Sequence, residues 1–213
     1  MDYVLSILPY LMKGLEVSIK LWAGTICLSL PLAIFAAIGK ISGPPALKRI
    51  LGFYTWFFRG SPLMLQLFFA YFALPYIGIK LEPFAAAVIT FILNATAYQT
   101  EIIRSGIEAV PKGQSEAAKA LGFTYWQAMF KVILPQIWRQ VLPVLTNEVI
   151  LVFKDTALLA AIAMGDLLRA ARDLMSRQLK VTPLLVALVI YLVIVAIIVY
   201  GSSRLEKKIS VYI

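Results

Sequence analysis

Residues 110–143 read V-P-K-G-Q-S-E-A-A-K-A-L-G-F-T-Y-W-Q-A-M-F-K-V-I-L-P-Q-I-W-R-Q-V-L-P, the longest polar and basic stretch in a chain that is otherwise apolar. Pro111 and Gly113 are both helix breakers, so the helix that precedes the stretch is predicted to end there. The basic side chains in it are expected to keep the segment outside the hydrocarbon of a bilayer. They are Lys112, Lys119, Lys131 and Arg139.

Two short helices are predicted within this stretch. Ser115 is expected to cap the first one, over residues 116–121, because a serine side chain can accept a hydrogen bond from the free N–H groups at a helix start. Gly122 is expected to stop it, and a second helix is expected from about Tyr125. On this pattern alone, the stretch is a solvated amphipathic loop outside the bilayer.

The composition around this stretch is that of an integral membrane protein. Of the 213 residues, 61% are hydrophobic, and the mean hydropathy is +0.86. The net charge of +9 would suggest nucleic acid as a partner in a soluble protein. Here the basic residues fall at the ends of apolar segments, where the preference of Lys and Arg for the cytoplasmic side explains them, so no nucleic acid partner is expected.

An all-α, polytopic membrane protein with five transmembrane helices is predicted, as a single domain over residues 1–213 whose polar loop covers about 111–136. Each apolar segment is long enough to cross a hydrocarbon core of ~30 Å. They are residues 21–39, 61–79, 84–100, 141–164 and 181–203. A short helix over 165–180 is expected at the outer surface. The distribution of Lys and Arg predicts the N-terminus outside and the C-terminus in the cytoplasm.

One motif in the polar loop is more specific than its charge. Glu116-Ala117-Ala118 is followed after three residues by Gly122, and then by Val132, Leu134 and Pro135. This order resembles the E-A-A-x3-G-x9-I-x-L-P signature of ABC-importer permeases, with valine in place of the usual isoleucine. Further stretches resemble the permeases of polar amino acid importers. They are F-F-R-G-S-P-L-M-L-Q (57–66), N-A-T-A-Y-Q-T-E-I-I-R-S-G (94–106) and L-T-N-E-V-I-L-V-F-K-D-T-A-L-L (145–159).

The resemblance implies a type I ABC-importer permease in the cell membrane, in contact with lipid. It implies that Glu116, Ala117, Ala118 and Gly122 form a coupling element that docks into a groove on an ATPase subunit. It also implies two ATPase subunits, a second permease copy in a homodimer, and an extracytoplasmic amino-acid-binding protein. ATP and Mg²⁺ would belong to the ATPase subunits, and this chain would carry no cofactor.

Several kinds of chemistry are disfavoured by the residues that the chain lacks. It contains no histidine and a single cysteine, Cys27, so intramolecular disulfides are excluded and a Cys/His metal site is not expected. No G-x-x-x-x-G-K-[ST] sequence is present to cradle a phosphate. The chain is therefore predicted not to be an enzyme. The alternatives to a permease subunit are a passive channel, an ion-coupled carrier that relays protons through its acids, and a membrane subunit with no transport path.

Two acidic residues mark the predicted substrate site. Glu148 and Asp155 are seven residues apart, hence on one face of a helix with a rise of about 10 Å between them. An unpaired ionised acid at membrane depth costs about 2.5–3.5 kcal/mol or more, so a partner is needed. Two carboxylates suit the two cationic groups of arginine, lysine or histidine, with arginine favoured for its forked donors. The alternatives are local pairing of the acids, and a neutral or acidic substrate such as glutamine.

Other polar residues complete the candidate site. Asn94, Ser61 or a backbone amide is expected to bind the carboxylate of the substrate, and Tyr98 to line its path. The alternative for Asn94 and Tyr98 is hydrogen bonding between helices, which is common in membrane bundles. Arg59 is predicted to be an interfacial arginine that reaches lipid headgroups.

Overall fold

The structure is a computed structural model that describes the backbone of residues 2–211 and the side chains of residues 2–208. Within that range every regular element is helical, which confirms the all-α prediction. The helices in chain order are α1 Asp2–Ser42, α2 Pro45–Gly60, α3 Leu63–Phe68, α4 Pro83–Ala109, α5 Lys112–Ala120, α6 Tyr125–Ala128, α7 Leu134–Asp155, α8 Leu167–Gln178 and α9 Thr182–Val211.

Irregular helical turns extend three of these elements. A π-helical turn, Phe69–Ala73, and a 3₁₀ turn, Leu74–Ile77, follow α3 directly. A second π-helical turn, Met129–Ile133, joins α6 to α7, and a 3₁₀ helix, Thr156–Ile162, continues α7. Turns of the 3₁₀ and π type often occur where the direction of a helix changes.

Three helices are long and apolar enough to cross a membrane: α1, α4 and residues Thr182–Lys208 of α9. The pair α2–α3 is a fourth candidate, but its two parts meet at an angle of 104°. The predicted segment 61–79 begins at this bend, and its role as a span of its own stays a prediction. Helix α7 has 22 residues and is too polar to qualify by composition, so the count of five stays a prediction.

Helix α1 is the spine of the fold. Its buried positions are mostly small residues near a four-residue spacing: Gly14, Ser18, Thr25, Ser29, Ala33 and Ala37. Small residues let helices approach closely in a membrane, and α4 packs against α1, while Gly14 and Ser18 lie against the start of α8. A side chain at Gly14 would collide with the carbonyl oxygen of Asp166, 2.6 Å from an ideal Cβ. The predicted first segment, 21–39, is therefore part of a much longer helix that begins at Asp2.

The remaining helices pack against this spine in three apolar clusters. One joins α1 to α4 and to the start of α7, around Ile103 and Ile137. A second joins α1 to α8 and α9, around Leu11 and Leu167, and a third joins α1, α3 and α4 around Phe91. The core consequently lies between α1, α4 and α7, while α9 stays mostly exposed along its length.

The short helix predicted over 165–180 is confirmed as α8, while its place at the outer surface stays a prediction. Asp166 caps it and accepts hydrogen bonds from the N–H groups of Leu168, at 2.9 Å, and Arg169, at 3.2 Å. Burial raises the pKa of this carboxyl to about 6, although the two backbone donors act in the opposite direction. The capping carboxylate of Asp166 therefore loses part of its hydration when it is buried.

Two details of the predicted polar loop are wrong. Helix α5 begins at Lys112, with Pro111 in the capping position, so Ser115 is not the cap. Its hydroxyl lies inside the helix and donates to the carbonyl of Lys112 at 2.8 Å. A proline is well tolerated at a helix start because the N–H that it lacks would have no partner there. Gly113 likewise lies within α5 rather than ending α4.

Candidate substrate path and coupling loop

The turn between α5 and α6 depends on Gly122. Its φ of +81° lies in the left-handed region, which glycine adopts without steric cost. The N–H of Gly122 donates to the carbonyl of Lys119 at 3.0 Å, and the N–H of Phe123 donates to that of Ala118 at 3.0 Å. These bonds close the end of α5, as in a glycine-terminated helix. The prediction that Gly122 stops the first helix is confirmed.

Helix α6 begins where the sequence predicts, at Tyr125. The side chain of Thr124 accepts a hydrogen bond from the N–H of Gln127, and the side chain of Gln127 accepts one from the N–H of Thr124. This reciprocal pair is a capping box, which fixes the direction of a helix as short as α6.

The residues predicted to contact an ATPase do not all face outward. Glu116 and Ala117 are exposed, as is Gly122, whereas Ala118 is buried in the chain itself with 3% of its surface exposed. A partner that docks on this loop would therefore meet Glu116 and Ala117, while Ala118 supports the loop from inside.

The loop is attached to the end of α1 by one hydrogen bond between side chains. The hydroxyl of Tyr125 donates to that of Ser42 at 2.6 Å. Beside this contact lies a groove of about 450 Å³, lined by α1, Leu47 of α2, and Tyr125 and Trp126 of α6. A displacement of the loop would thus reach α1 directly.

An ion-pair network ties α1, α2 and α4 together near this end of the bundle. Lys40 pairs with Glu101 and donates to the hydroxyl of Thr55 at 2.8 Å. Arg104 contacts the other oxygen of Glu101 at 2.8 Å and Glu108 at 2.6 Å. The pairs of Arg104 with Glu101 and Glu108 lie along α4, at spacings of three and four residues. The link to Lys40 is long-range and was not predicted.

A second polar cluster lies at the corner between α2 and α3, where Ser61 and Pro62 interrupt the helix. The amide nitrogen of Gln66 contacts the carbonyls of Phe58, at 2.9 Å, and Ser61, at 3.0 Å. The amide nitrogen of Asn94, on α4, donates to the same Phe58 carbonyl at 3.1 Å and to Oε1 of Gln66 at 3.0 Å. The side chains replace the hydrogen bonds that the broken helix lacks.

The same cluster uses the donors that the sequence assigned to a substrate. The hydroxyl of Ser61 donates to the carbonyl of Phe57 at 2.7 Å, and the amide of Asn94 uses its donors within the cluster. Asn94 and Ser61 therefore hydrogen-bond within the protein, as the alternative interpretation of Asn94 predicts. Gln66 is the residue that the sequence interpretation missed; a glutamine in an apolar run, four residues after a proline, was the available signal.

Glu148 and Asp155 lie on α7, as predicted. Glu148 is nearly buried, with 9% of its surface exposed, and Asp155 is the last residue of the helix and half-buried. Among the side chains that the structure describes, neither carboxylate forms an ion pair. Pairing of Asp155 with Lys154 is therefore not observed, and both acids are left available for another partner.

Tyr98 and Arg59 lie together at the edge of this region. The guanidinium of Arg59 lies 5.6 Å from the centre of the Tyr98 ring, and the Tyr98 hydroxyl donates to the Arg59 carbonyl at 3.3 Å. Both line a cavity of about 340 Å³ with Glu101 and Arg104. The structure thus brings Asn94, Ser61 and Tyr98 together at the α2–α3 corner, with the two acids on the neighbouring helix α7.

Comparison with known proteins identifies a family and several relatives. Residues 29–211 match the family described as "Binding-protein-dependent transport system inner membrane component". The chain is 38% identical over 205 residues to the arginine transport system permease protein ArtQ of Bacillus subtilis, covering 95% of this chain and 94% of the relative. It is 36% identical over 215 residues to the putative glutamine transport system permease protein GlnP of Rickettsia bellii, covering 99% of each.

Solved structures agree with the sequence relatives. The fold matches an amino acid ABC transporter crystallised with histidines, with a TM-score of 0.87 and 33% identity over 97% of each chain. It also matches an inward-facing form of the MetNI methionine ABC transporter, with a TM-score of 0.77 over 94% of this chain and 96% of the other. At 20% identity, this second match supports the fold alone.

Proposed function

Since the chain belongs to the binding-protein-dependent transport system inner membrane components and is the permease subunit of an amino acid ABC importer, we propose that its substrates are the cationic amino acids arginine, lysine and histidine. The family implies separate ATPase and binding-protein partners. We place ATP and Mg²⁺ on the ATPase subunits, and assign to this chain the substrate path and the transmission of movement.

The observation that carries the substrate proposal is that neither acid on α7 forms an ion pair with any side chain in the described part of the chain. Glu148 is nearly buried, and removing its charge from water costs free energy that no neighbouring cation among the described side chains offsets by direct contact. A cationic substrate supplies that partner when it binds. Its two positive groups can reach Glu148 and Asp155 at the same time, because the acids lie about 10 Å apart along the helix. The identity to ArtQ supports this choice.

A neutral amino acid such as glutamine is the second candidate, supported by the identity to GlnP. Glutamine offers one cationic group, its α-ammonium, and would leave one of the two acids without an ionic partner. The two candidates therefore differ in whether both carboxylates are needed.

Uptake by the complex reconstituted in liposomes with its binding protein and ATPase separates these candidates. We expect radiolabelled arginine uptake to be displaced by lysine or histidine but not by glutamine. In Glu148→Gln and in Asp155→Asn, arginine uptake should fall by about tenfold or more, as expected for the loss of one charge-assisted contact in each, because a cationic substrate needs both carboxylates. The matched control is Glu82→Gln, because Glu82 is exposed and caps nothing with its side chain. Unchanged arginine uptake in Glu148→Gln, or displacement of arginine by glutamine, would refute the proposal.

We further propose that the chain is oriented with α5 and α6 in the cytoplasm and the α3–α4 turn outside. Gly113 and Lys80 are exposed at these two places. In a Cys27→Ser background, Gly113→Cys should react with an impermeant thiol reagent only from the cytoplasmic side, and Lys80→Cys only from outside. The opposite labelling would overturn both the orientation and the coupling role of the loop. Met1 and residues 212–213, at the predicted outer and inner termini, lie outside the described residues.

A homodimer completes the proposal, since one chain with three or four apolar crossings encloses a path poorly. Two copies that carry different affinity tags should then co-purify in one complex with the ATPase. Recovery of one tag only would instead indicate a heterodimer or a single permease chain.

A further inference from the structure

The α-carboxylate of a transported amino acid needs a cationic or hydrogen-bonding partner that the two acids on α7 cannot provide. Asn94 and Ser61 were expected to supply it, but their donors are used at the α2–α3 corner. A different donor must therefore complete the site.

Arg59 is the cation at this corner that has no ionic partner among the described side chains. It lies in the last turn of α2 and is exposed, with its guanidinium over the ring of Tyr98. Glu101 lines the same cavity, but its carboxylate is already held by Lys40 and Arg104. The five N–H donors of Arg59 thus remain available to an anion.

Arg59 and Glu148 are at similar depths in the bundle. Gly106 of α4 is in close contact with Val141 of α7, since an added Cβ would lie 2.4 Å from a Val141 methyl group. The two helices run in opposite directions on either side of the polar loop. Two helical turns from this contact, on the side away from the polar loop, α4 reaches Tyr98–Gln99 and α7 reaches Glu148. Both steps are a rise of about 10 Å.

We propose that Arg59 binds the α-carboxylate of the transported amino acid through its guanidinium fork, while Glu148 binds the α-ammonium group. A planar fork matches a carboxylate in two parallel hydrogen bonds, and the Tyr98 ring holds the guanidinium in place. This assignment rests on the proposed amino acid site but not on the identity of the side chain carried. For a cationic amino acid the charges then match one to one: one guanidinium and two carboxylates face one carboxylate and two cationic groups.

An interfacial arginine that reaches lipid phosphate was the expectation from sequence. The structure favours the substrate role because Arg59 lies over Tyr98 at the depth of Glu148, between elements that carry the other polar residues of the site. The two roles predict different ligand selectivity, which can be measured.

The test is equilibrium binding to the detergent-purified permease–ATPase complex, without the binding protein, which has its own selectivity. Radiolabelled arginine is displaced by unlabelled arginine or by argininamide, which lacks the carboxylate charge. The parent should prefer arginine by about tenfold or more, the usual range for a charge-assisted pair. In Arg59→Gln, the affinity for arginine should fall until the two ligands bind equally, with argininamide unaffected. Arg59→Lys should retain part of the preference.

Arg177→Gln is the matched control, since Arg177 is exposed in the last turn of α8. Equal weakening of both ligands in Arg59→Gln would indicate that Arg59 only supports Tyr98, and would refute the assignment. Unchanged arginine binding would do the same and indicate a lipid contact. If the parent prefers glutamine, the cationic substrate is wrong, and glutamine with glutaminamide tests Arg59 instead. If the unmodified complex binds no amino acid, both the substrate proposal and the role of Arg59 are refuted.

Discussion

Replacing Gly122 with proline will strongly reduce coupled transport while leaving the permease in the membrane. The backbone at Gly122 has φ of +81°, and proline is held near −65°, so the turn between α5 and α6 cannot form. The α5–α6 loop would then present Glu116 and Ala117 in a different direction. We expect the ATPase activity of the reconstituted complex to lose its stimulation by the loaded binding protein, and uptake to fall by about tenfold or more, as an L-residue alone costs 1–2 kcal/mol there.

Two further variants show whether this loss arises from the loop surface. Ala117→Trp places a large side chain on the exposed face of α5 and should uncouple in the same way without changing the turn. Gly113→Ala is the matched control, because an added Cβ there meets no atom within 4 Å and alanine favours the helix. Normal stimulation in both Gly122→Pro and Ala117→Trp would show that this loop is not the coupling element.

Removing Glu101 will destabilise the bundle more than removing its partner Lys40. In Glu101→Met, Lys40 loses its ionic partner in a site where the two side chains are only 15% and 13% exposed. Breaking a buried pair from one side typically costs about 3–5 kcal/mol. In Lys40→Met, Glu101 keeps Arg104, so the loss should be smaller.

The double variant Lys40→Met/Glu101→Met is the decisive measurement. It leaves no uncompensated charge between the two positions, since Arg104 still pairs with Glu108, and should unfold at higher SDS content than Glu101→Met. Unfolding of the purified permease in mixed micelles measures this order. Glu16→Gln is the control, because its pair with Lys20 is exposed and should contribute little. Strictly additive losses in the double variant would rule out a direct interaction.

The positions at which short-range chemistry decides the structure could be predicted from the sequence. Gly122 and the start of α6 at Tyr125 follow from helix capping and glycine conformations, and both are confirmed. The prediction that Ser115 caps α5 was wrong for a reason of the same kind. The proline four residues earlier also suits a helix start, and the sequence pattern alone did not rank the two residues.

The bend between α2 and α3 could not be predicted in the same way. The sequence Gly60-Ser61-Pro62 marks a weak point, but the angle of 104° depends on Gln66 and Asn94, and Asn94 comes from another helix. Which amide meets which carbonyl is a property of the packed bundle. The same reason explains why the sequence does not show that Asn94 and Ser61 hydrogen-bond at this corner, since their residue types suit a ligand and a helix break equally well.

The two acidic residues could be selected from the sequence, unlike the bend, because a charge buried in a membrane helix can be stabilised in only a few ways. Glu148 and Asp155 could be selected from the sequence because acids in an apolar helix need a partner. The sequence could not show that the described side chains provide no ion pair for either of them. For Arg59 the sequence points to a lipid headgroup because the residue adjoins an apolar run, and only the fold shows that its guanidinium lies over Tyr98.

The α2–α3 corner also determines which parts of the molecule can move. Four backbone carbonyls, those of Phe57, Phe58, Arg59 and Ser61, accept hydrogen bonds from side chains there. Straightening the corner would separate the Phe58 carbonyl from the side-chain amides of Gln66 and Asn94, and Pro62, four residues on, has no N–H to replace them. We therefore expect the angle between α2 and α3 to stay fixed, so that the corner does not act as a hinge. Any alternation between outward-open and inward-open states must turn α2 and α3 as one body, with the bending taken up elsewhere in the chain.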